Sequence, residues 1–222
     1  MRRSDRLRTA LVLSLFFLPA PAGAIERRSD LTLFINPGVA LGPSTRSTFT
    51  LTDGTFLETT QTLDEVSRLI EWEVNYSFFT FFGLSAIVEG TKYRNAADPL
   101  ANQDSEMAFM AVPRIQTGEN GVTFWAGVGL GWLISKLGQP NRAGAALDYR
   151  LEESSSNYAW SPRGGLDFVL EGYTFGIQVA FLKSSGTRAG TAVDRGTLIE
   201  APMSQAFDRS WWSVTAKFGF QL

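Results

Sequence analysis

Histidine and cysteine are both absent from the 222 residues. Beyond residue 24 no uninterrupted apolar run approaches the roughly 18 to 20 residues that a membrane helix needs. Without cysteine there is no disulfide, no thiol chemistry, no thiolate metal site and no lipoprotein anchor. Without histidine there is no side chain whose ordinary pKa makes it an acid or base near neutral pH. Any membrane crossing falls to strands, and only a closed barrel satisfies every backbone group within hydrocarbon. Clustered positive charge is also missing, which argues against a nucleic-acid partner.

What is present begins with an export signal. Arg2, Arg3, Arg6 and Arg8 precede the apolar run Ala10 to Leu18, then Pro19 and the small residues Ala22-Gly23-Ala24. This predicts a signal peptide over 1–24 with cleavage after Ala24, and a mature domain over 25–222. Ser4-Asp5-Arg6 stands where a twin-arginine signal has an apolar pair, so the ordinary secretory route is expected. Removing four arginines and Asp5 from 20 basic and 22 acidic residues leaves 16 and 21, a mildly acidic domain of net charge −5.

The remainder alternates. Trp212, Val214, Ala216, Phe218, Phe220 and Leu222 share one face of a strand, with Ser213, Thr215, Lys217, Gly219 and Gln221 on the other. Seven further strands follow the same rule, near 31–42, 68–76, 82–89, 107–116, 123–134, 163–170 and 174–181. In 107–116 two apolar sets compete for the lipid side, and Arg114 with Gln116 decides. Placing both inside avoids a charge in hydrocarbon, worth about 2 to 4 kcal/mol near the midplane.

Across these strands the presumed lipid face carries no charge. The other face holds Glu71, Glu73, Glu89, Arg114, Arg163, Asp167 and Lys217, a candidate interior charge network. Trp72, Tyr76, Phe82, Tyr173, Trp132 and Trp212 fall near predicted strand ends, as an aromatic girdle requires. Links near 77–80, 117–121 and 171–172 are short and those near 43–66, 93–106, 135–157 and 183–210 are long. That alternation predicts an up-and-down transmembrane barrel of eight strands, termini in the periplasm and loops outside. Pro37, Pro113 and Pro162 oppose it, because proline cannot donate a ladder bond.

Three stretches, Trp125 to Trp132, Gly165-Leu166-Asp167-Phe168 and the C-terminal strand, resemble the small eight-stranded outer-membrane barrels of the OmpA and OmpX kind. The resemblance implies residence in the bacterial outer membrane, surrounded by its lipid and lipopolysaccharide, as a monomer. It also makes Val214, Ala216, Phe218, Gly219, Phe220 and Leu222 similar to the signal read by the barrel-assembly machinery, with Leu222 where the family has Phe. A wall-anchoring role is not implied.

Enzymes built on such barrels, including lipid A acylases and deacylases, phospholipases and omptin-like proteases, resemble one another in using histidine, which this chain lacks. No catalytic, cofactor-binding or metal-binding residue is nominated, and no acidic loop has calcium-binding spacing. Two readings of the interior charges stay open. One is a paired, side-chain-filled plug in a non-enzymatic envelope or surface-interaction protein. The alternative is a narrow pore, with Gly127, Gly129 and Gly131 leaving room for solute. Thr48 to Thr60, with Asp53-Gly54 at its centre, predicts a hairpin extending above the membrane, and Ala145 to Ser156 and Ala192 to Asp208 are long enough to carry binding surface.

Overall fold

The computed structural model describes residues 30–51, 56–62, 66–93, 104–119, 121–138, 141–143, 147–194, 196–197 and 199–222. The signal peptide over 1–24 and Asp53-Gly54 lie outside these residues. The strands are β1 (Asp30–Leu51), β2 (Phe56–Thr62), β3 (Val66–Phe79), β4 (Phe82–Tyr93), β5 (Asp104–Glu119), β6 (Val122–Lys136), β7 (Asn141–Ala143), β8 (Leu147–Leu151), β9 (Ser154–Leu170), β10 (Tyr173–Asp194) and β11 (Glu200–Gln221).

Eight of them, β1, β3, β4, β5, β6, β9, β10 and β11, pair with their neighbours in that order, and β11 returns to β1. Every pairing is antiparallel, and the C-terminal strand closes the ring from Thr32↔Gln221 to Leu41↔Trp212. The period-two pattern decides the faces as expected. Leu33, Ile35, Ile70, Val74, Phe109, Ile115, Leu130, Phe175, Ile177 and Phe218 are exposed on the outside. Arg114 and Gln116 are buried on the inside, which settles the face of β5. So wide a belt of exposed apolar side chains belongs in hydrocarbon, since water would penalise all of it.

Each proline is accommodated the same way. Pro37 pairs with Ile70 of β3, while the ladder to β11 skips from Ile35↔Phe218 to Gly38↔Thr215 without changing register. Pro113 pairs with Leu84 and leaves a gap between Ala111↔Leu130 and Arg114↔Gly127. Pro162 pairs with Val128 and leaves a gap between Ala180↔Arg163 and Lys183↔Trp160. A missing N–H on one side of a strand therefore interrupts one ladder for two residues and leaves the other intact.

The inner turns are tight. Glu171 and Gly172 have φ of 41° and 90°, the pair of positive values that a two-residue hairpin of matching twist requires. At the outer end the strands run further than their apolar pattern indicates. The segment 183–210 is not a loop: β10 and β11 stay paired from Lys183↔Ser210 to Val193↔Glu200. Lys183, Ser185, Thr187, Ser204, Asp208 and Ser210 occupy the outward positions there, because the outward face has left hydrocarbon. Thr48 to Thr60 is a hairpin as expected, β1 meeting β2 from Ser44↔Thr62 to Thr50↔Phe56.

β8 joins the far side of β10 from Gly190↔Leu151 to Asp194↔Leu147, and β7 pairs with β8. Above the barrel, the order β2-β1-β11-β10-β8-β7 therefore forms a six-stranded sheet over one side of the rim. A bulge at Leu41/Ser44, with Gly42 at φ 57°, moves β1 by one residue where it enters this sheet. The shift exchanges its inward and outward faces.

The girdle is corrected in detail. Trp72 sits mid-strand in β3 and faces outward below the outer rim. The outer aromatic row instead runs through Trp160, Phe181 and Trp212, with ring centroids 6.0 and 5.0 Å apart. Tyr76, Phe78 and Phe82 line the inner rim with centroids 4.6 and 6.0 Å apart. Tyr173 and Phe220 continue it at 5.9 Å.

Candidate functional site

All seven residues of the predicted network are buried inside the ring. Strand parity puts them there: Glu71 and Glu73 alternate with outward Ile70, Trp72 and Val74, and Lys217 lies between outward Ala216 and Phe218. Two linked ion-pair groups result. In one, Lys217 Nζ lies 2.9 Å from Glu73 and 3.5 Å from Asp167, while Arg114 lies 3.3 Å from Glu73 and 3.7 Å from Asp167. In the other, Arg163 forks between Glu71 and Glu89, at 2.5 Å from the latter.

Neutral residues complete the network. Asn36 donates to Glu71 at 2.7 Å and to Glu73 at 3.4 Å, bridging the two groups. Gln178 donates to Glu71 at 3.1 Å, Ser85 to Glu73 at 2.7 Å and the Trp211 indole to Glu89 at 3.2 Å. The Trp125 ring takes Lys217 on its face at 4.6 Å and Arg114 at 4.9 Å. These partners matter because a carboxylate in such a space is tolerable only when paired and hydrogen-bonded.

At the inward positions above the charges lie Leu69, Ala108, Leu133, Leu182 and Trp211, all buried, while Ile87 and Met110 of the same apolar cluster pack among the charges, level with Glu73 and against Arg163. Above that, Glu106 pairs with Arg209 and accepts from the Tyr93 hydroxyl, while Arg188 donates to the Ser135 carbonyl at 3.3 Å. Phe207 lies between the guanidiniums of Arg188 and Arg209, at 5.6 and 5.5 Å. Leu137, Leu151, Ala192 and Met203 form a small outer core beneath the extended sheet. Counting both layers, the buried side chains include five carboxylates and five cations.

The upper group, Tyr93, Glu106, Arg188 and Arg209, is not nominated by the sequence reading because it falls in segments taken for loops. A signal was present: Arg188 follows Leu182 and Ser184 on the inward parity, and Gln205, Phe207, Arg209 and Trp211 alternate with Ser204, Ala206, Asp208 and Ser210.

Gly127, Gly129 and Gly131 do not leave room for solute. A Cβ at Gly131 would run into the Phe109 carbonyl, and one at Gly127 into the Pro113 carbonyl. They allow β5 to come close and its long inward side chains to cross the interior. At the inner mouth lies a polar vestibule of about 60 Å³, lined by Asn75, Ser77, Arg114, Gln116 and Asp167 among others. An apolar concavity of about 800 Å³, bordered by Leu33, Trp72, Val88, Phe109 and Phe218, lies on the outer waist, where lipid chains pack.

The C-terminal residues are placed as their alternation requires. Phe218, Phe220 and Leu222 are exposed, Ala216 faces outward with them, and Val214 is half-buried on the same face. Gly219 faces in, where the Phe34 ring fills the place a side chain would take.

Comparison with solved structures agrees with this geometry. OprG of Pseudomonas aeruginosa, an outer membrane protein, superposes with a TM-score of 0.61 at 13% identity, covering 89% of this chain and 97% of that one. The fold is that of a transmembrane outer-membrane-type β-barrel. The outer membrane protease OmpT of Escherichia coli superposes at 0.53 with 7% identity, covering 91% of this chain and 99% of that one. No protein-family model and no curated protein matches the chain. Likeness at this level of identity gives the fold, and activity has to be argued from the side chains the barrel carries.

Proposed function

We propose that the protein is a non-enzymatic barrel of the bacterial outer membrane, sealed by its own side chains, that braces the envelope and presents a sheet at the cell surface. The observation that carries this reading is the stacking of a buried apolar layer on a buried ion-pair layer. An ion crossing the barrel would have to break the pairs and then pass a hydrocarbon-like zone without water, and each step is costly. The extended sheet of β1, β2, β7, β8, β10 and β11 rises on the side opposite the inner turns and supplies the surface for contact.

Export by the 1–24 signal, insertion by the barrel-assembly machinery through the alternating strand ending at Leu222, and a monomer embedded among phospholipid and lipopolysaccharide belong to the same reading. The uninterrupted outward parity of β11 supports the insertion signal. Ring closure through β1 and β11 supports the monomer. The absence of histidine from the whole chain supports a non-enzymatic role.

Recordings of the refolded protein in planar lipid bilayers test the seal. The expected result is a silent barrel, folded by the criterion of heat-modifiable gel migration. Reproducible openings whose conductance changes in Glu73→Gln or Arg114→Gln would establish the narrow pore instead.

A further inference from the structure

Two ion pairs face outward near the outer rim. Lys183 has Asp208 at 3.3 Å and Lys136 has Glu153 at 2.9 Å. Arg68 and Lys92 differ. Both are exposed on the outer wall, and the register Leu69↔Thr91 sets them opposite one another on β3 and β4. The Thr91 hydroxyl, donating to the Arg68 carbonyl at 3.0 Å, holds this end of the pair together. Side chains so placed have Cβ atoms about 4.5 to 5.5 Å apart, and like charges there repel. Among the described residues no carboxylate lies beside them: their outward neighbours are Val39, Ile70, Gly90 and Ser105.

Their height is informative. Arg68 stands twelve residues from Thr80 and Lys92 eleven from Phe81, at the inner turn. Trp132 stands eleven from Gly121 and Trp160 eleven from Glu171, at the other inner turns. The two cations are therefore level with outward tryptophans, where lipid headgroups meet hydrocarbon. Immediately below them Gly90 leaves a notch, with nothing but Ile70 near the place of a Cβ, at 4.0 Å.

We propose that Arg68 and Lys92 form a binding site for the phosphate of an outer-leaflet lipid, its headgroup bridging the two cations and its chains lying over Gly90 and Ile70. An anionic phosphate relieves the repulsion between the pair, and Arg68 can grip it with two parallel N–H donors while Lys92 adds a point charge. The membrane-lipid source is favoured over a soluble phosphate because the site is continuous with the apolar belt, which a soluble anion would not use. This inference rests on the barrel standing in a bilayer and is independent of whether it conducts.

The test is native mass spectrometry of the refolded full chain released from nanodiscs of mixed phosphatidylglycerol and phosphatidylcholine, and separately of lipid A and phosphatidylcholine. Wild type is expected to retain the phosphate-anionic lipid preferentially. Arg68→Gln with Lys92→Gln should weaken that preference by about 25-fold, since each basic group at an anionic surface is worth roughly fivefold. Arg68→Lys should keep most of it, and Lys183→Gln should leave it unchanged. Equal retention by wild type and the double variant overturns the site. So does displacement by inorganic phosphate at the same concentration as the lipid, which would mean a soluble anion. Heat-modifiable migration of every variant separates loss of the site from loss of the barrel: a folded barrel without lipid preference refutes the site alone.

Discussion

Lys217 Nζ lies 2.9 Å from the Glu73 carboxylate, across the interior from one strand to another that is not its neighbour in the ring. β1 stands between β11 and β3, so the contact bridges a strand and ties the closing element of the barrel to its second wall. Shared with Asp167 and flanked by Trp125, the ammonium holds three separate strands in one place.

Removing that ammonium leaves two buried carboxylates sharing Arg114 alone. Lys217→Met should destabilise the refolded barrel by about 3 to 5 kcal/mol, the usual cost of breaking a buried pair from one side. Adding Glu73→Gln and Asp167→Asn should recover part of this loss. Urea unfolding in micelles followed by tryptophan fluorescence measures both, and additive losses would refute the coupling.

Arg163 should be as sensitive, because it alone forks between Glu71 and Glu89. Arg163→Gln is expected to cost about 3 kcal/mol or more, and Arg163→Lys nearly as much, since a single ammonium cannot reproduce the fork. A lysine variant of wild-type stability would show that charge, not geometry, matters here.

The apolar layer predicts a gain of conductance. Trp211→Ala combined with Leu182→Ala removes the largest blocking groups above the charges and should turn a silent barrel into one with small, frequent openings. Lys183→Gln, on the outer face, should not. Continued silence in the folded double variant would place the barrier in the ion-pair layer instead.

At the outer tip, Asp194 accepts from the backbone N–H groups of Gly196 and Thr197 at 2.9 and 2.8 Å, and from the Thr197 hydroxyl at 3.0 Å. The Thr197 bonds hold its carboxyl below the usual range. A group with a depressed folded pKa stabilises above its unfolded value, about 3.9 for Asp, and loses that contribution as pH falls through the folded value. The turn should therefore stay ordered at mildly acidic pH and loosen only below about 4. Amide NMR shifts of Gly196 and Thr197 should move together with a midpoint below 3.9, and Asp194→Asn should abolish that transition.

The β5 approach gives a folding prediction. Gly131→Ala would place a methyl group against the Phe109 carbonyl, and no side-chain rotation relieves a clash with backbone. The variant is expected to fail to show heat-modifiable migration. Gly172→Ala, with open space around its Cβ but a φ of 90°, should fold with a stability loss of about 1 kcal/mol.

How much of this was legible depends on how local the cause is. Alternation is local, so the faces of Trp212 to Leu222, the inward Lys217 and the outward Phe175 are legible from parity alone. The choice of face for Arg114 followed from the cost of a charge in lipid. Above Trp212 the apolar signal ends because the strands enter water, and so the paired lengths of β10 and β11 and the buried Arg188, Arg209 and Glu106 leave no alternation of apolar residues by which the sequence marks them as strand. The prolines looked like obstacles because a sequence does not say which of two ladders a missing N–H would have served.

The order of residues along each strand thus determined which side chains face lipid and which face in, since the backbone pleat sends neighbours to opposite faces whatever they pair with. Only closure of the ring decided which inward charge meets which. Lys217 and Glu73, or Arg163 and Glu71, become neighbours through the stagger and tilt of strands far apart in the chain, and no local pattern encodes that stagger. The pairing of β5 with β6 sets Pro113 against Gly127 in the same way, and the close approach of the two strands makes the three glycines contacts that leave no space, which composition alone does not show.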